Sequence, residues 1–209
     1  MRNHFNKGNA FGTIMSVKST KIVVKSKKKG AEDKEVPCVD IIIDCNSGAH
    51  GRARCYGRIW GGAKSKAFLD TYKSYGDQVV KVEGFYSQFT KDGTDEVLSN
   101  FAVYKYELRK NETPRAGFIL TGELKSVEEA PDGEKLLMMS VNRDRGESGV
   151  CEEEFRLYLH PKDAKRIKSE LKPGEVIAIK GLICQMGEKD YISDEFEGDV
   201  KPYIKDIAL

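Results

Sequence analysis

Short runs in which apolar and polar residues alternate recur along this chain, the spacing of strands with one buried face. The alternation is clearest at residues 51–60, G-R-A-R-C-Y-G-R-I-W. Arg52, Arg54, Tyr56, Arg58 and Trp60 share one face, and Ala53, Cys55, Gly57 and Ile59 share the other. The second face is small and apolar, fit for a core. The first carries three guanidinium groups and two large rings. Cations that track phosphates and rings that stack on bases are the chemistry of single-stranded nucleic acid binding.

The same reading places strands at 10–25, 36–45 and 51–60, a helix at 62–74, and strands at 78–89 and 97–108. The order then repeats. Strands fall at 117–128, 134–142 and 151–160, a helix at 161–171 opened by Pro161, and strands at 175–186 and 200–207. Residues 82–88 (V-E-G-F-Y-S-Q) match 179–185 (I-K-G-L-I-C-Q) at an offset of 97. Residues 12–17 (G-T-I-M-S-V) match 122–127 (G-E-L-K-S-V) at an offset of 110. Matches kept in the same order are the mark of an internal duplication. Three strands, a helix and two strands is the order of the OB-fold, a five-stranded Greek-key barrel. The fold expected is therefore all-β: two tandem OB-fold-like five-stranded barrels, each with a helix between strands 3 and 4. The polar connector at 110–114 divides the chain into domains 1–113 and 114–209.

Charge separates the two units. Residues 1–113 hold 20 Lys+Arg against 13 Asp+Glu, a net of +7, and residues 114–209 hold 15 against 20, a net of −5. At an offset of 100, Arg52 and Arg54 lie over Glu152 and Glu154, and Tyr56, Arg58 and Trp60 over Arg156, Tyr158 and His160. Carboxylates repel phosphates. The first unit is thus the expected nucleic-acid-binding domain, and the second supports it, dimerises or contacts a protein.

Further binding candidates are Lys25, Lys27, Lys28 and Lys29 in the loop after the first strand. Tyr86, Phe89 and Lys91 are candidates near the loop between strands 4 and 5. Lys64 and Lys66 at the helix start are secondary. Phe101, Tyr104 and Tyr106 divide between the core and the surface in a way that alternation alone leaves open. Asp40 and Asp44 share the arginine face in one hairpin register, with Asp44 opposite Arg54 and Asp40 opposite Arg58. Such pairing would partly neutralise the groove or pre-orient the guanidiniums.

Cys38, Cys45, His50 and Cys55 form C-x6-C-x4-H-x4-C, without the tight knuckle of structural zinc, so no metal and no cofactor is expected. The chain has three histidines, no phosphate-binding loop and no nucleophile elbow, and an enzyme is not expected. The acidic stretch 188–199 reads as a solvated loop. No apolar run approaches a membrane span and no secretory signal is visible. The five scattered cysteines read as reduced thiols, so the expected location is cytoplasmic.

With the repeat, the Arg/Tyr/Trp strand and the V-x-V-x-G-x-x-x-Q turns in hand, the chain resembles OB-fold single-stranded DNA-binding proteins. It is most similar to the tandem, compact ones encoded by bacteriophages. The resemblance implies sequence-independent binding and protection of single-stranded DNA in replication, recombination or repair. It implies Arg52, Arg54, Tyr56, Arg58 and Trp60 as the groove, and replication or recombination proteins as partners. For a phage protein the location would be the host cytoplasm. Bacterial relatives end in a long acidic tail, whereas this sequence ends K-P-Y-I-K-D-I-A-L. The alternatives are an RNA-binding OB module and a protein-interaction scaffold. A metal-dependent nuclease would need clustered carboxylates that the sequence lacks.

Overall fold

The protein was analysed as a computed structural model that describes residues 4–24, 32–45, 53–75, 79–91, 93, 97–109, 114–129, 133–144, 149–164, 171–185 and 200–208. The chain is all-β, and the described residues include one helix of more than a single turn, alongside the strands. Strands β1 (Asn6–Val24), β2 (Lys34–Asp44) and β3 (Arg54–Trp60) lead into helix α1 (Gly62–Tyr75), followed by β4 (Val79–Thr90) and β5 (Val97–Arg109). The second half runs β6 (Arg115–Glu129), β7 (Lys135–Asp144), β8 (Val150–Leu159), the single turn α2 (Pro161–Ala164), β9 (Val176–Gln185) and β10 (Val200–Ala208). The helix expected at 161–171 is described only over its first turn. Among the described residues no helix is long and apolar enough to cross a membrane.

Pairing within each half closes into a circuit. Strands follow the order β2-β3-β5-β4-β1, and β1 returns to β2. They then follow β6-β7-β8-β10-β9, with β9 pairing back to β6. The ladders carry the sequence offsets. Gly8 pairs with Gly84 as Phe118 pairs with Gly181, shifts of 110 and 97. Ile43 pairs with Cys55 as Met139 pairs with Phe155, which gives the shift of 100 for the third strands. Bulges recur at matching places. One lies between Ile14 and Ser16 and its counterpart between Leu124 and Ser126; each inserts one residue and turns the strand.

The repeated glycines have a steric cause. A Cβ on Gly12 would sit 2.1 Å from the Asp44 carbonyl oxygen, and one on Gly122 would sit 2.3 Å from that of Ser140. Gly84 and Gly181 likewise face the carbonyl oxygens of Ala102 and Tyr203 at 2.6 Å. The matched motifs mark points where two backbones approach too closely for any side chain.

The halves join through an antiparallel ladder from Asn6–Leu120 to Phe11–Arg115. In it Gly8 pairs with Phe118, its own counterpart under the shift of 110, so a local twofold axis passes between them. β1 therefore starts four residues before the expected strand: its first residues serve the junction. One apolar cluster runs through both halves. Tyr86 crosses the junction, stacked on Phe118 at 4.8 Å and on Phe155 at 5.4 Å between ring centroids.

α1 turns Ser65, Phe68, Leu69 and Tyr72 toward the first circuit, the i, i+3, i+4, i+7 spacing of an amphipathic helix. Phe68 is fully buried and meets Tyr106 edge to face at 5.1 Å. Gly61, at φ +93°, makes the strand-to-helix turn and donates its N–H to the Pro37 carbonyl at 3.0 Å.

The glycine contacts make a direct prediction. Gly12→Ala and Gly122→Ala should each destabilise the fold by about 1–3 kcal/mol, the usual cost of overpacking, read as a lower urea midpoint. An unchanged midpoint in both variants would show that the backbones do not approach this closely.

Candidate nucleic-acid interface

β3 realises the alternation read from its sequence. Arg54 is exposed, Tyr56, Arg58 and Trp60 are half-buried, and Cys55, Gly57 and Ile59 face the core. Gly57 is tightly packed inside, since a Cβ there would stand 3.0 Å from the Ile41 side chain. The β2–β3 register places Asp40 opposite Arg58 and Asp44 opposite Arg54. Asp40 accepts two hydrogen bonds from Arg58, at 2.5 Å from Nε and 2.9 Å from Nη2. That fork holds the guanidinium 5.5 Å from the centre of the Trp60 ring. Arg58 is therefore an oriented, locally neutralised cation rather than a free phosphate clamp. The hydrogen bonds to Asp40 raise its pKa further, so its charge is fixed at any working pH.

The aromatic row extends beyond β3. Phe89 is 42% exposed and meets Tyr56 edge to face at 5.7 Å. Lys91 is exposed at the end of β4. Lys18 lies across β1 from Asp40 and is exposed; single-strand alternation gave no signal for it, because only the β1–β2 register brings it to this face. Arg156, from the second half, shares with Phe89 a shallow cleft between the halves. Arg52, Lys25, Lys27, Lys28 and Lys29 lie outside the described residues, as do His50 and the acidic stretch 188–199.

Tyr86 is a correction. Proposed as a binding residue, it is fully buried, with its hydroxyl 3.1 Å from Ser99 Oγ and accepting from Gln88 Nε2 at 2.8 Å. Burial pushes its phenol well above the usual tyrosine range. It cannot meet a base. Alternation on β5 also breaks. A bulge opposite Glu83 and Gly84 inserts Tyr104, so Phe101 and Val103 point inward, Tyr104 is 41% exposed, and Tyr106 turns back to pack on Phe68.

The second half presents different chemistry on the matching face. Glu152 and Glu154 are exposed where the first half has arginines. Ser140 donates to Glu152 and, together with Lys125 at 3.6 Å, holds that carboxyl below its usual range and therefore ionised. Gln88 of β4 reaches across and pairs with the Arg156 backbone, accepting from its N–H at 2.8 Å and donating to its carbonyl at 2.9 Å. The cysteines considered for zinc are split between faces. Cys45 and Cys55 are buried on the core side, where their mutual hydrogen bond and burial raise the Cys55 thiol, while Cys38 pairs with Trp60 on the other face. Among the described residues no group of three or more metal-binding side chains forms.

Solved structures share this architecture. The wild-type single-stranded DNA binding protein from Thermus aquaticus matches with a TM-score of 0.60 and 13% identity, over 99% of this chain and 93% of that one. A deletion variant of the same Thermus protein matches at 0.56 and 13% identity, over 100% and 95%. At that identity the likeness is one of fold. No protein-family model and no curated protein matches the sequence.

The Arg58–Asp40 pair can be tested on the free protein. Asp40→Asn removes the acceptor charge and releases the guanidinium from the indole. The emission of Trp60, the single tryptophan, should shift in this variant. An unshifted spectrum would mean that the fork does not hold Arg58 against the ring in solution.

Proposed function

We propose that this protein binds single-stranded DNA without sequence preference on the outer face of β3 and its neighbours. The observation that carries the reading is the row Trp60, Tyr56 and Phe89, three rings on one accessible face with a guanidinium already fixed against the first. Bases stack on such rings at about 1–3 kcal/mol each. Arg54, Lys18 and Lys91 supply the cations, joined in this reading by Arg52 and the lysines at 25 and 27–29. The shared fold with a single-stranded DNA binding protein supports the assignment.

In the same reading, the two closed circuits are tandem OB-type barrels spanning 1–113 and 114–209. The first captures DNA, and the second, acidic on the matching face, braces it. The protein is non-catalytic and cytoplasmic, and it shields strands during replication, recombination or repair.

The test is quenching of Trp60 by oligo-dT at several salt concentrations. Strong quenching with a steep salt slope is expected. Measured by filter retention, Trp60→Ala should weaken binding by about 1–3 kcal/mol and leave the slope unchanged. Arg54→Ala should flatten the slope by about 1. Tyr86→Phe should leave affinity unaltered. No quenching, together with no binding by filter retention, would refute the assignment. Equal affinity for oligo-U would move it to RNA.

A further inference from the structure

A cleft of about 720 Å³ opens between the β1–β2 hairpin and α1, at the end of the candidate face. It begins where that face stops: Cys38 of its lining pairs with Trp60. The floor is Pro37, Cys38, Val39 and Leu69. Cys38 and Val39 are buried, and Leu69 packs against the core, so the floor is rigid. The rim carries Lys21, Lys66 and Lys73 against one carboxylate, Asp70. Lys21 is held by Glu35 at 3.0 Å. Lys66 and Lys73 are exposed on α1, two turns apart. That separation is about 10 Å along the helix axis, roughly the span of three residues of extended chain.

Nucleic acid is a poor fit for this cleft. No aromatic ring lines it, so bases have nothing to stack on. An aliphatic floor under two well-separated ammonium groups instead suits a peptide with small apolar side chains between carboxylates. We propose that the cleft docks an acidic, aliphatic segment of a partner protein. Its apolar side chains lie on Pro37 and Leu69, and its carboxylates meet Lys66 and Lys73. The cleft's position would bring that partner to the Trp60 end of the strand without covering the rings.

The test is fluorescence polarisation of labelled Gly-Glu-Leu-Val-Glu-Gly, with a control in which serine replaces leucine and valine. The protein should bind the first peptide and discriminate against the control. Lys73→Gln should weaken peptide binding about threefold or more, while oligo-dT affinity at physiological ionic strength changes less than about twofold. No binding of the peptide by the unaltered protein would overturn the proposal, as would equal binding of the serine control. Parallel loss of oligo-dT affinity in the Lys73→Gln variant would overturn it too, by assigning the cleft to the nucleic-acid track. Peptide binding in a protein that ignores oligo-dT would refute the proposed function and leave this inference standing.

Discussion

The ladder between β1 and β6 is the constraint on which the rest of the molecule depends. Each strand would otherwise present an unpaired edge, and an open edge recruits other chains. Pairing Asn6–Phe11 with Arg115–Leu120 removes both edges and makes one ten-stranded sheet. Because the ladder is antiparallel about Gly8 and Phe118, it lays the β4 end of the first half over β8 of the second. Tyr86 and Gln88 then have no choice of environment. The ring inserts between Phe118 and Phe155, and the amide two residues on pairs with the Arg156 backbone. The junction also balances volume. The smallest residue, Gly8, pairs with a phenylalanine, and the tyrosine at 86 has Ile183 as its counterpart. A hydrophobic core that runs through the junction resists hinging, so the outer face of the first half is held as a fixed surface.

On this shared backbone the two halves diverge in chemistry rather than shape. The third strands superpose in register, yet Arg54 becomes Glu154 and Trp60 becomes His160. In the second half, Lys201 stands 4.7 Å over the Tyr158 ring and pairs with Glu134 at 3.0 Å, so that ring is engaged within its own half. Arg143 is similarly committed, between Glu153 at 3.1 Å and the Phe85 ring at 4.9 Å. A duplicated fold keeps its glycines and bulges, because they are set by backbone approach, and is free to change its exposed residues.

How far the sequence could be read follows from which of these features are local. The faces of β3 were legible because strict alternation needs nothing beyond the strand itself. The offsets were legible because the glycines that carry them are required by steric contact in both halves. Even the Asp40–Arg58 pairing was one of the registers the hairpin allowed, and the β2–β3 ladder adopts it. Tyr86 was not read correctly: it falls in phase with the inward Val80, Val82 and Gly84 of its own strand, but its position near a binding loop made it a candidate, and the other half's Phe118 and Phe155 complete its burial. Nor was the switch of faces at Tyr104. A single inserted residue leaves the pattern looking regular on each side, while every side chain after it changes face. Lys18 was missed for a related reason, since its place on the candidate face exists only through pairing between strands.

On the proposed reading, charge and stacking make unequal contributions at this face. The first half has a net charge of +7, which draws a polyanion from a distance but acts only within a Debye length of about 8 Å at physiological salt. Of the arginines described on β3, Arg58 spends its charge on Asp40, and Arg54 stands opposite Asp44. A phosphate must therefore compete with carboxylates already in place. Trp60, Tyr56 and Phe89 keep accessible surface beside Arg58 and one another, and every base offers a face to stack on. Stacking at about 1–3 kcal/mol per base then outweighs the gain from an exposed ion pair, about 0–1 kcal/mol. The carboxylates have a separate use. An arginine anchored by a carboxylate loses little side-chain freedom when a nucleotide arrives, and it presents its ring partner in one orientation. On the proposed reading, electrostatics on this face thus serves mainly to bring the strand in and to fix the platform, while the aromatic row holds it.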